Sequence, residues 1–98
     1  MTDDILEKYI SRSDLCSWRI VVGEAVVLTR AMKLHVLNET ATAIWQLADG
    51  ETKIRDIVNE ICESFGVEVE TAERDVLDFI SELEKTELVI IGDQAKDE

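Results

Sequence analysis

Positive charge is scarce in this sequence: ten lysines and arginines stand against 22 aspartates and glutamates, for a formal net charge of −12. A surface that acidic repels phosphate backbones and anionic lipid, because affinity for either depends on cationic side chains displacing counterions. The balance argues against nucleic acid and membrane as partners and favours a basic or neutral one. Cysteine is equally sparse. Cys16 and Cys62 stand far apart with no CxxC pair, and His35 is the single histidine, so a four-ligand zinc site is hard to assemble and both thiols read as small interior side chains. Gly23, Gly50, Gly66 and Gly92 are isolated, which leaves no glycine-rich loop of the kind that cradles phosphates. No apolar run approaches the ~20 residues a membrane-spanning helix needs. The start, Met1-Thr2-Asp3-Asp4, has neither the basic residues nor the apolar stretch of a signal peptide, and a cytoplasmic protein is expected.

Catalytic constellations are also lacking. A serine or cysteine nucleophile needs a histidine base within reach, and His35 falls on a strand with no partner in sequence. Among 22 carboxylates some pairs are close by chance alone, and nothing marks a shielded pair with separated pKa values. Ser13-Asp14-Leu15 reverses the Asp-Ser-Leu order of an acyl carrier and precedes a strand, which excludes that reading. The expectation is a non-enzyme without cofactor or metal.

What is present is the material of one small folded domain: 98 residues, 46% hydrophobic and 33% charged. Residues 1–15 carry Ile5, Leu6, Tyr9 and Ile10 at helical spacing and read as an arm, either a short helix or loosely docked. From Cys16 the pattern alternates, with Trp18, Ile20 and Val22 against Ser17, Arg19 and Val21, and β-branched residues continue to Leu28. Two strands joined at a Gly23-Glu24 turn are predicted. After Thr29, Arg30 and Ala31 a third strand is predicted over Met32 to Leu37, completing a three-stranded meander.

Asn38 then caps a helix carrying Ala41, Ile44, Trp45 and Ala48 on one face, with Gly50 as its end. A second helix is predicted from Thr52 as cap, with Ile54, Ile57, Val58, Ile61, Cys62 and Phe65 along one stripe and Gly66 as its terminator. The third, Val69 to Lys85, buries Val69, Ala72, Val76, Phe79, Ile80 and Leu83. Leu88 to Ile91 reads as a short strand or packed tail, and 92–98 as a flexible acidic tail. The fold class is α+β and winged-helix-like: a three-stranded antiparallel sheet followed by three helices. Helices two and three form a helix-turn-helix, which suggests DNA. Between Glu70 and Lys85, however, only Arg74 and Lys85 oppose Glu70, Glu73, Asp75, Asp78, Glu82 and Glu84, a balance that pushes the helix away from phosphate.

The run from Leu37-Asn38 through Ala41, Ile44-Trp45, Leu47 and Asp49-Gly50 to Thr52, Asp56-Ile57 and Val58 resembles the signature of the PqqD-like family. The likeness continues through Phe65-Gly66-Val67, Asp75-Val76, Phe79-Ile80 and Leu88-Val89, so it covers residues 16 to 91. Asn38, Ile44, Trp45 and Gly50 are explained as scaffold without any function. The resemblance implies a role: members bind the leader of a ribosomally made precursor peptide and pass it to a maturase, often a radical S-adenosylmethionine enzyme, as in pyrroloquinoline quinone biosynthesis. It also implies a binding mode in which an extended peptide joins the exposed third strand beside the third helix. By strand and helix spacing the groove is expected to involve Lys33, Leu34, His35, Val36 and Leu37, with Arg74, Leu77, Asp78 and Ser81. A monomer or a homodimer is compatible with that mode. The alternatives are a winged-helix DNA regulator, recognisable by salt-dependent duplex binding, and a structural subunit docked permanently on a modifying enzyme.

Overall fold

The computed structural model describes residues 5–94. A 3-10 turn, Ile5–Glu7, leads into β1 (Tyr9–Arg12), followed by β2 (Ser17–Val21), β3 (Glu24–Leu28) and β4 (Leu34–Val36). Then come α1 (Glu39–Leu47), β5 (Asp49–Lys53), α2 (Ile54–Phe65), α3 (Val69–Lys85) and β6 (Val89–Gly92). Strands β2, β3 and β4 form the antiparallel meander read from the sequence, and the three helices follow it, giving the mixed α+β, winged-helix-like architecture. A second sheet, ordered β5-β1-β6, was not foreseen.

The arm accounts for the difference. Tyr9–Arg12 is the central strand of that second sheet, antiparallel to both neighbours, and Ile10 is completely buried. Of the four residues in the helical stripe only Tyr9 and Ile10 fall in the strand, Ile5 and Leu6 lying in the 3-10 turn, and pairing with β6 on one side and β5 on the other fixes the strand. On the β5 side the register shifts between Tyr9 and Ser11, and Gly50 there has φ +82° and is buried. Gly50 thus forms a bulge rather than ending α1. The helix stops earlier, at Leu47 with Ala48 as its cap. Asp49–Lys53, which holds the expected Gly50 helix end and Thr52 cap, is a strand only through its long-range pairing with β1. In consequence α2 is capped by Lys53 instead of Thr52, and the Ile54 amide donates to the Lys8 carbonyl at 2.9 Å.

Two turns also differ from expectation. Val21 pairs with Glu24, so the hairpin turn is Val22-Gly23, one residue before the predicted pair. Both residues have positive φ, 50° and 82°, as the tight primed turn that matches strand twist requires. Met32 has φ +64° and its amide donates to the Thr29 carbonyl, so it is part of a turn and cannot begin a strand. The predicted Met32-to-Leu37 strand therefore contracts to Leu34–Val36.

Asn38 caps α1 as expected, its Oδ1 accepting from the Ala41 amide at 2.8 Å. Gly66 ends α2 in the left-handed conformation, φ +65°. One core joins the two sheets and the helices: Ile10, Ala25, Val27, Ile44, Trp45, Ile54, Ile57, Ile61, Ala72, Val76, Ile80 and Leu83 are all buried. Val69, predicted inward, is exposed at the start of α3, and Phe79 is half-buried. No helix among the described residues is long and apolar enough to cross a membrane. Of the predicted tail, Gly92 closes β6, while 95–98 lie outside the described residues, as do 1–4.

Candidate functional site

Strand β4 pairs with β3 on one side, and among the described residues its other side pairs with nothing. Its main-chain direction follows from the bonds at its two ends. The Thr29 amide donates to the Lys33 carbonyl at 2.9 Å, and the Leu37 amide donates to the Ala25 carbonyl at 2.8 Å. Lys33 and Leu37 therefore face β3, and since antiparallel main-chain groups alternate, so does His35 opposite Val27. Leu34 and Val36 must then point their N–H and C=O groups out of the sheet, an unpaired edge of four hydrogen-bonding groups.

The side chains alternate in the perpendicular direction. Leu34 and Val36 lie opposite Leu28 and Val26, on the sheet face away from the core, and are 63% and 60% exposed. His35 shares the inner face with the buried Val27. That inner side opens into a cavity of about 360 Å³ between the β3–β4 turn and the end of α3, lined by Leu15, Cys16, Lys33, His35, Thr86 and Leu88 among others. A second hollow of about 250 Å³ lies past the other end of the strand, where Asn38, Ala41 and Ile44 meet Asp75 and Phe79 of α3. The open edge is thus flanked at both ends by depressions, one lined by α3 itself and the other by the residues that follow it.

The predicted site residues separate on this geometry. Lys33, Leu34, His35 and Val36 are together along the edge. Leu37 is core, only 7% exposed. On α3 the side turned to the hollow carries Asp75 and Phe79. At ~100° per residue, Asp78 borders that side while Leu77 and Ser81 lie across the helix. Leu77 packs against the core, and Arg74 lies 3.9 Å from Asp75 on the exposed surface. Asp75, Phe79, Thr86 and Arg30 were missed by the spacing argument. Asp75 and Phe79 do share a face, four residues apart, but which face meets α1 depends on a helix-crossing angle that periodicity does not contain.

Both cysteine thiols are free and donate to main-chain carbonyls. Burial pushes the Cys16 thiol above its ordinary range, and its Sγ donates to the Ser13 carbonyl. Cys62 Sγ donates to the Val67 carbonyl at 2.9 Å. Among the described residues no group of three or more histidine, cysteine, aspartate or glutamate side chains is placed to hold a metal ion.

Comparison with known proteins addresses this same region. The solved structure of TbiB1 in complex with the TbiA(beta) leader peptide matches with a TM-score of 0.75 at 29% identity, over 81% of this chain and 93% of that one. No functionally curated protein matches. The model of the family described as coenzyme PQQ synthesis protein D matches residues 24–89, which takes in β3, the open strand and all three helices. With most of its length inside that match, the chain belongs to the PqqD family.

Proposed function

We propose that this protein is a non-catalytic peptide-recognition module that pairs the extended leader of a precursor peptide with β4 and presents it to a maturase. The observation that carries this reading is the pair of outward main-chain faces at Leu34 and Val36, left open beside two depressions. An added strand satisfies those groups whatever its side chains, so the backbone supplies affinity and the hollows supply selectivity. Alternate side chains of the bound segment then fall on the outer apolar face with Leu34 and Val36 or toward His35 and the α3 side, where Lys33, Asp75, Asp78 and Phe79 border the path. That TbiB1 is known with a leader peptide supports the assignment. A micromolar complex corresponds to about 8 kcal/mol, within reach of one added strand and a few apolar anchors. The maturase in this reading is a radical S-adenosylmethionine enzyme of pyrroloquinoline quinone biosynthesis or a related modified-peptide pathway in the cytoplasm. The free module is a monomer or a homodimer, and a dimer through β4 would compete with the peptide for the same edge.

The test uses synthetic peptides covering the precursor leaders encoded beside this chain, titrated into isotopically labelled protein. Shifts concentrated on residues 33–37 are expected, and none for any peptide would contradict the reading. Proline sharpens the test. At Leu34 or Val36 it removes an outward N–H and should abolish peptide binding in protein that still folds, whereas at His35 it removes a bond to β3 and should lower the melting temperature. Unchanged binding in folded Leu34→Pro and Val36→Pro variants would rule out strand addition.

A further inference from the structure

We propose that the cavity between the β3–β4 turn and the end of α3 is an anchor for a peptide segment in which an acidic residue lies beside an apolar one. Arg30 and Lys33 take the carboxylate, and the cavity floor takes the apolar side chain. The inference deepens the peptide-binding reading above and rests on it.

Charge supplies the first argument. In a chain with 22 carboxylates and ten cations, most lysines and arginines should find a partner. Lys8, Lys53, Arg55 and Arg74 do, meeting Asp93, Glu7, Glu7 and Asp75. Arg12 donates to the Trp45 and Gln46 carbonyls and covers the Trp18 ring. Arg19, Lys85, Arg30 and Lys33 have no ion pair among the described residues, but of these only Arg30 and Lys33 stand together at the mouth of a cavity. Glu87 is the one carboxylate in the lining, and neither cation is paired with it. A locally cationic opening with His35 beside it is out of keeping with a surface of net charge −12, and it complements an anionic group.

Shape and backbone supply the second. The walls include Leu15, Cys16, Ala31 and Leu88, an apolar interior below a charged rim, and about 360 Å³ is within the range of sites that enclose a small ligand group. Glu87 of the lining has φ +61°, and Met32, between the lining residues Ala31 and Lys33, has φ +64°. Such positions are costly and cluster where a ligand is clamped. Lys33 and His35 are also the alternate residues of the open strand, so a peptide paired with Leu34 and Val36 passes directly along the rim.

The probe is a displayed library of random twelve-residue peptides, selected in parallel on the native protein and on the Arg30→Glu/Lys33→Glu variant. Thermal melts establish that the variant stays folded, and Arg30→Gln/Lys33→Gln provides a milder second case. The native protein should enrich aspartate or glutamate at one register position next to a leucine, isoleucine, valine or phenylalanine. Changing that acid to lysine in a selected peptide should weaken binding at least tenfold. The reversed variant should enrich lysine or arginine at the same position, and the glutamine variant should lose the preference. Pools with the same acid content on all three proteins, or a change spread evenly over every position, would overturn the proposal. Absence of any binder on every protein would overturn the peptide-binding reading itself, which is a separate failure.

Discussion

The Thr42 hydroxyl accepts from the Ala25 amide at 2.8 Å and donates to the Leu37 carbonyl at 3.1 Å. A helix side chain is therefore inserted into the last rung between β3 and the chain leaving β4, where the Leu37 amide already donates to Ala25. Thr42 is buried, so replacing it by valine leaves two main-chain groups without partners and should cost about 2 kcal/mol. For a domain of this size that lowers the melting temperature by roughly 10 °C, measurable by calorimetry, and serine should restore most of it. Val22 presents the opposite case. It is almost fully exposed at the hairpin tip, has a β-branched side chain and sits at φ +50°, a conformation such residues rarely adopt. Val22→Asn should stabilise the protein by about 1 kcal/mol, read from denaturant unfolding, because asparagine tolerates the left-handed region and no packing is lost.

Elements with strong local patterns were legible in the sequence. The α2 stripe, the capping of α1 by Asn38, the meander and the extent of α3 over Val69–Lys85 follow from periodicity and end signals. The second sheet did not, because β5 reads Asp-Gly-Glu-Thr-Lys and is held by pairing with a segment about 40 residues away. Its start is fixed by Asp49, whose carboxylate accepts from the Glu51 amide at 2.8 Å and the Thr52 hydroxyl at 3.2 Å. Burial alone would raise the pKa of Asp49, but these bonds outweigh it and hold the group below its ordinary value of 3.8. Glu7, bonded to Arg55 and Lys53, is likewise lowered. A carboxylate with a depressed folded-state pKa contributes stability that is complete above its unfolded pKa and disappears as pH falls through the folded one. Unfolding measured from pH 6 down to pH 2 should thus show stability falling below about pH 4. Asp49→Ala should be less stable at neutral pH and should lose part of that acid dependence.

For the molecule as a whole, the sequence already indicated an acidic binding module with an available strand, but not the company that strand keeps. Among the described residues the meander has two free margins. At β2 the hairpin geometry turns the Trp18 and Ile20 main chain outward, yet Trp18 packs edge-on against Trp45, with ring centres 5.9 Å apart, beneath Arg12. At β4 the margin lies between two hollows, one lined by α3 and the other by the residues just after it, which is why binding is proposed there. That cavity arises from the β3–β4 turn meeting the residues after α3, two loops whose approach no local pattern encodes. Amide hydrogen exchange resolved by residue tests the assignment most directly. In the free protein Leu34 and Val36 should exchange rapidly while His35 and Leu37 are protected, and saturating leader peptide should slow Leu34 and Val36 at least tenfold. Protection gained at Trp18 and Ile20 instead, or at no residue of β4, would contradict it.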